Sequence, residues 1–314
     1  MSAQQPFDDL VKLLAQLPGG DSCNGNVVRE ALGKRPVGGN QGNRLADLLA
    51  WLATWQGSDT PSLAESHICV LASSYEGGMG SEGLKGHMSL ASNGQSFVNQ
   101  LCKTHGLGLR ILEMAVEMPH KAGQPEPIWS EAEVMAAVAF GMEATAAGGH
   151  ILGLGELAFG SEPYAIAIIC RLMGIESGHF AKEFGLRKAA AQAQQLLNQH
   201  NADEPLEVLR AFGGREMAAA VGAILAARSR RLPVVLDGWA ASVAALILWK
   251  MDPSSVDHCI LAAPLNDAHM LAMGKIGMRP IVDVSHDSGM GVGCAMALNV
   301  LKGLIGAFAL PEMQ

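Results

Sequence analysis

The residues able to do chemistry in this chain gather at a few glycine-flanked positions. The clearest is a polar stretch near the C-terminus, residues 280–298 (PIVDVSHDSGMGVGCAMAL), which turns into an apolar helix. Gly289, Gly291 and Gly293 permit backbone conformations closed to other residues and allow a ligand to approach the chain. The N-terminus of the following helix offers N–H groups to an anion. His286 and Asp287 can give and take protons, the material of acid–base catalysis, although neighbouring side chains on an extended chain point apart and so would not act as a mutual dyad. Met290 stands between the first two glycines, where a side chain is expected to be held toward a bound ligand, yet a thioether neither takes up a proton nor carries charge. Other polar groups follow apolar runs: Ser73 and Ser74, Gly155-Glu156, and Asp237-Gly238. Glu156 and Asp237 could bond ribose hydroxyls or counter a cation, and equally could cap the helices that follow. His269, beside Met270, Leu271, Met273 and Ile276, reads as a packed, hydrogen-bonded residue. The chain has no G-x-S-x-G elbow and no P-loop, and its G-L-G-E at 153–156 falls short of a dinucleotide fingerprint.

These positions need elements to hold them. Short apolar runs at 67–72, 108–114, 150–154, 232–236 and 258–262 have the continuous hydrophobicity of strands buried on both faces. Helical spacing marks 130–147, 163–173, 187–199, 214–231, 239–250, 266–276 and 293–308. Alternating strands and helices predict an α/β fold with a parallel sheet covered on both sides, and ligands then sit beyond the C-terminal strand ends, where the serines, Glu156 and Asp237 lie. Upstream, 6–17 predicts a helix stopped by Pro18-Gly19-Gly20, and 33–43 (GKRPVGGNQGN) a loop feeding a helix through Leu45, Leu48, Leu49, Leu52 and Trp55. The Pro-rich segment 117–129 reads as a surface crossing.

Composition narrows the function classes. The chain of 314 residues is long enough for one large α/β domain, alone or with a small satellite. Its net charge of −8, the lack of a basic run and an aromatic content of 5% disfavour nucleic acid, which is bound through clustered cations and stacking side chains. No apolar stretch approaches the roughly 20 residues of a membrane span, so no membrane partner is expected. The six cysteines are scattered without a C-x-x-C, which predicts buried thiols in a reducing cytoplasm and no metal site. The N-terminal segment has acids and no basic region, unlike a secretory signal.

In order and content these pieces resemble the nicotinate mononucleotide:dimethylbenzimidazole phosphoribosyltransferase family, which makes α-ribazole phosphate for the lower ligand of cobalamin. Residues 148–160 (GGHILGLGELAFG) are similar to the family's strand and G-x-G-E-L loop. Residues 213–245 are similar to its G-G-x-[DE] helix and L-P-V-[LV]-L-D-G-[FY] turn, His269 matches the His of an E-x-G-H element, and 280–298 follows the P-L-L-D-L to G-E-G-T-G-A-A-L-A-L segment without gaps. The resemblance implies a Rossmann-like sheet domain over residues 61–314 and a smaller helical domain begun by residues 1–60. It implies a homodimer, while Met290 and the departures below raise a heterodimer with an active homologue as the other expectation. It also implies a nicotinate mononucleotide-like nucleotide and an aromatic base as ligands, with no cofactor. In the implied reaction the base nitrogen attacks ribose C1 with inversion and expels nicotinate. A carboxylate takes the proton of the base, and its place in this chain is Met290.

Other motifs depart as well. Ala72 is followed by Ser73-Ser74-Tyr75 where the family has A-D-H-G, which removes an acid and a histidine. The phosphate-gripping stretch is shortened to 174–188 (GIESGHFAKEFGLRK), with Gly178, Lys182 and Lys188 as its remnants, and KRPVGGNQGNRLAD keeps Arg44 and Leu45 of K-P-P-G-S-L-G-R-L-E. Two expectations follow: an enzyme of altered or reduced activity using Glu156, Asp237 and His286, or a catalytically silent paralogue that binds ligands or serves as the inactive subunit of a heterodimer.

Overall fold

The computed structural model describes residues 6–34, 44–121, 129–285 and 289–308. Three helices come first, α1 (Pro6–Leu14), α2 (Ser22–Gly33) and α3 (Arg44–Gln56). The sheet then begins with β1 (Ser66–Ala72), α4 (Gly80–Ser92), α5 (Phe97–His105), β2 (Gly108–Glu113), α6 (Glu131–Gly141) and β3 (Ile151–Leu157). Four helices follow, α7 (Glu162–Met173), α8 (Ser177–Glu183), α9 (Arg187–Gln199) and α10 (Pro205–Phe212). The chain continues through α11 (Arg215–Ser229), β4 (Val234–Leu236), α12 (Trp239–Met251), β5 (Cys259–Leu261), α13 (Asp267–Lys275) and α14 (Val292–Phe308).

The five strands pair in parallel in the order β2-β1-β3-β4-β5. The direction of winding reverses between β1 and β3, so the loops leaving these strands diverge and open a crevice at their C-terminal ends. Side chains alternate across the sheet. Cys69, Leu71, Leu152, Leu154, Val234 and Leu236 join a core with α1, α6, α7 and α9 to α12, while Ile68, Val70, Ile151, Leu157, Val235 and Ile260 join one with α3, α4, α5 and α14. Each predicted strand is present, and β3 runs on to Leu157, so Gly155 and Glu156 belong to the strand and do not follow it.

Close backbone approaches explain several glycines. A Cβ on Gly141 would lie 1.9 Å from the Ala219 carbonyl oxygen, and one on Gly222 would lie 1.8 Å from that of Val138, so α6 and α11 touch along their backbones. Gly153 and Gly155 likewise clear the face of β3 for the start of α14, since a Cβ there would meet Cys294 and Gly291. Both glycines serve this packing.

Several helices differ from the sequence expectation. The helix expected over 6–17 ends at Leu14, and the polar stretch after Pro18 folds as α2, capped by Asp21, whose side chain accepts the Cys23 N–H. That helix packs on α3 and shares a small core of Val28, Leu49 and Ala53 with Leu304, Ile305 and Phe308 of α14. The helix expected over 130–147 closes with a 3-10 turn, Met142–Thr145. The loop expected over 33–43 and the crossing over 117–129 fall largely outside the described residues. All six cysteines are free thiols; five are buried and Cys23 is exposed. Burial pushes the Cys69 and Cys170 thiols up to about 12 and Cys102 up to about 11, so these sulfurs are inert apolar packing groups at neutral pH.

Candidate active site

Two carboxylates tie the C-terminal edge of the sheet together. Glu156, one residue from the end of β3, accepts the Trp239 N–H at one oxygen and the Ala240 N–H at the other, both at 2.8 Å. These N–H groups open α12, so Glu156 caps a helix from across the sheet. Gly238 makes this possible: its φ is +96°, and a Cβ there would stand 2.9 Å from the carboxylate. Asp237 does the same for α14, accepting the Cys294 N–H at 3.2 Å. The helix N-terminus expected to await an anion is therefore already served by a side chain of the protein.

Around this brace lie two adjoining cavities. The first, of about 310 Å³, is floored by Glu156, Asp237, Gly238, Gly289 and Gly291 and walled by Leu157, Phe159, Trp239 and Leu265. Flat apolar walls over a polar floor suit a planar ring whose heteroatoms reach the floor. The second, of about 300 Å³, is lined by Lys188, Gln192, Gln195 and Gln199, one face of α9, together with Glu76 and Tyr164. It offers one cation, amides that both give and accept hydrogen bonds, and a phenol. Gly160 and Glu162 line both cavities and mark where they meet.

The loop expected to carry catalysis is held tightly. Met290 takes a left-handed φ of 55° and donates its N–H to the Glu156 carbonyl oxygen at 2.8 Å. Its side chain is 6% exposed and belongs to the core with Ile68, Val70, Leu157 and Val292, whereas the cavity wall is formed by its neighbours Gly289 and Gly291. The expectation that residue 290 faces a ligand is thus corrected: the left-handed backbone turns the thioether into the core. Gly293 is buried in the first turn of α14 and lines neither cavity. His286 and Asp287 lie outside the described residues.

The serines after β1 are also drawn inward, away from the expected ligand edge. Ser74 donates its hydroxyl to the Val116 carbonyl oxygen, and the Ser73 hydroxyl faces the buried Glu216 carboxylate, which accepts the Tyr75 O–H. Neither serine lines a cavity. His269 is packed as expected, with Nε2 on the Ser242 hydroxyl and Nδ1 accepting the Leu265 N–H. Lys188 reaches the second cavity, whereas Lys182 pairs with Glu183 and lines neither. Sequence reasoning missed Glu162 and the glutamine face of α9. The spacing of Gln192, Gln195 and Gln199 at i, i+3 and i+7 was the available signal.

A sequence model of a family described as phosphoribosyltransferase matches residues 41–310. The nicotinate-nucleotide–dimethylbenzimidazole phosphoribosyltransferases of Brucella canis and Brucella suis are each 35% identical to this chain, across 95% of it and 92% of their own lengths. The chain belongs to the nicotinate-nucleotide–dimethylbenzimidazole phosphoribosyltransferase family. Two crystal structures from Thermus thermophilus share its fold at 23% identity. One, of CobT, has a TM-score of 0.79 and covers 91% of this chain and 96% of its own. The other, of nicotinate-nucleotide–dimethylbenzimidazole phosphoribosyltransferase, has a TM-score of 0.80 and covers 93% and 97%.

In this phosphoribosyltransferase family member the brace has an electrostatic consequence. Burial and the neighbouring Glu216 push the Glu156 carboxyl up to about 8, against the pull of the Ala240 and Trp239 N–H groups, and burial raises Glu216 as well. The unfolded chain releases these protons near the ordinary 4.5, so both glutamates withdraw stability as pH rises above it, Glu156 until about 8. His120 and His258, lowered by burial to about 3 from 6.5, act in the opposite sense, adding stability as pH rises up to about 6.5. Above 6.5 the histidines add no more, while Glu156 still withdraws stability. The urea midpoint should therefore fall between about pH 6.5 and 8, and Glu156→Gln should make that slope shallower. A flat or rising midpoint across the window would contradict this reading of the brace.

Proposed function

We propose that this protein transfers phosphoribosyl from a nicotinate nucleotide to an aromatic nitrogen base at the C-terminal edge of the sheet. The observation that carries the reading is the pair of cavities meeting at Gly160 and Glu162 beside the β1/β3 crossover. Family membership and the names of the Brucella relatives support the same chemistry. The apolar cavity between Phe159 and Trp239 takes the planar rings, and the α9 cavity takes the ribose phosphate, with Lys188 as its cation. Trapping both reactants between fixed walls supplies much of the acceleration for a displacement at a sugar carbon, because the orientational entropy is spent on binding.

Lys188→Gln tests the placement of the nucleotide. A charge-assisted hydrogen bond to phosphate is worth about 1.5–3 kcal/mol, so KM for nicotinate mononucleotide should rise roughly 10- to 100-fold, with kcat changed much less. An unchanged KM would remove the phosphate from the α9 cavity. One observation favours the second reading, a silent paralogue: the residue where the family resemblance places a proton-accepting carboxylate is Met290, packed into the core. A purified protein that binds the nucleotide yet releases no nicotinate with any benzimidazole, purine or phenol would select it.

A further inference from the structure

We propose that Glu162 is the catalytic base of this protein, accepting the proton of the incoming ring nitrogen in the absence of a carboxylate at residue 290. The assignment rests on the phosphoribosyl-transfer reading above. Three carboxylates line the apolar cavity. Glu156 has both oxygens committed to the Trp239 and Ala240 N–H groups, and turning either away would strand a buried donor. Asp237 holds the Cys294 N–H and is 2% exposed. Glu162 differs on each count. It is half-buried at the first turn of α7, has no hydrogen bond or ion pair among the described residues, and lines both cavities, so it faces the point where base and nucleotide would meet.

The chemistry balances on this group. The lone pair of the unprotonated ring nitrogen forms the new bond to ribose C1 as the bond from C1 to the nicotinate nitrogen breaks, and its electrons return to that nitrogen, leaving neutral pyridine. The product ring is left cationic with one N–H, and that proton passes to the Glu162 carboxylate. The surroundings favour a proton acceptor there. Asp237 and Glu76 are further carboxyl groups lining the two cavities, Glu156 is kept largely protonated at neutral pH by its burial, Tyr164 is a neutral phenol, and Lys188 on α9 is the cation lining the second cavity. Partial burial raises the Glu162 carboxyl above its ordinary range, which brings a base closer to the working pH.

The test compares wild type with Glu162→Gln using nicotinate mononucleotide and two acceptors, benzimidazole and 1-methylbenzimidazole, the second having no proton to lose. Loss of a positioned base costs about 10²–10⁴-fold. Transfer to benzimidazole should fall by that order, with the acidic limb of the kcat/KM profile reduced to the one set by protonation of benzimidazole itself, and partial rescue by Glu162→Asp. Transfer to 1-methylbenzimidazole should change by less than about 3-fold on the same argument. Equal losses with both acceptors, or no loss, would overturn the assignment. Should the wild type release no nicotinate at all, the transfer reading fails, and benzimidazole titrations decide the fate of Glu162 separately. Affinity that weakens toward acid more steeply in wild type than in Glu162→Gln, where only the protonation of benzimidazole itself remains, would sustain a proton-accepting contact. No binding, or the same pH dependence in both proteins, would overturn it.

Discussion

Gly155→Ala should cost this protein stability and its apolar cavity together. The added methyl would stand 2.7 Å from both the N and the Cα of Gly291, so the contact is backbone against backbone and no side chain can rotate aside. Gly291 cannot retreat, because it holds a φ of +78° and sits against Ile68. The loop would have to lift off β3, breaking the hydrogen bond from the Met290 N–H to the Glu156 carbonyl oxygen and moving Gly289 and Gly291 out of the cavity floor. Overpacking in a tight core costs about 1–3 kcal/mol, and a clash confined to backbone belongs at the upper end. Urea denaturation should show that loss, and calorimetry should show base binding weakened at least about 10-fold if half the cost falls on the bound state. Gly178→Ala is the control. That position has open space around it in α8 and should be neutral or gain up to about 1 kcal/mol. A Gly155→Ala protein of wild-type stability would show that the loop does not rest on the strand.

Met290→Glu should destabilise and not rescue. The obvious repair for a missing carboxylate is to restore it, but the side chain at this position is packed with Ile68, Val70, Leu157 and Val292. A carboxylate there has no partner in the core, and an uncompensated buried charge costs about 3–5 kcal/mol. The helix N-termini beside the loop cannot compensate it, because Glu156 and Asp237 already accept their N–H groups. Met290→Leu should cost less than about 1.5 kcal/mol, as a volume-conserving apolar exchange. Thermal melts of the pair separate the outcomes. A Met290→Glu protein that melts like wild type and releases nicotinate faster would mean that the loop can turn residue 290 outward.

The strands and the edge they share could be read in the sequence because each is a short, unbroken apolar run, and Glu156 and Asp237 were visible as acids ending such runs. Their partners were not. Nothing in the sequence tells that Glu156, on β3, reaches the N-terminus of α12 some 83 residues away, and its helix cap becomes visible only where the chain crosses. Helices α2 and α4 escaped notice because SCNGNVVREALG and GSEGLKGHMSLAS are rich in glycine and serine, and their packing outweighs weak local propensity. Residue 290 shows the opposite case. Flanking glycines predicted a special backbone, which is present, but the sign of φ at Met290 decides which way the side chain goes, and no residue type announces it. Glu162 was hidden because an acid in the first turn of a helix is ordinary, favoured there by the helix dipole. Only the two cavities beside it give it another use.

The most direct measurement is nicotinate release by the purified protein from nicotinate mononucleotide, followed with and without an aromatic base. Release should require the base, yield a ribosylated base in equal amount, need more base in Gly155→Ala and be slowed in Glu162→Gln. Nucleotide binding without release, whichever base is supplied, would contradict it.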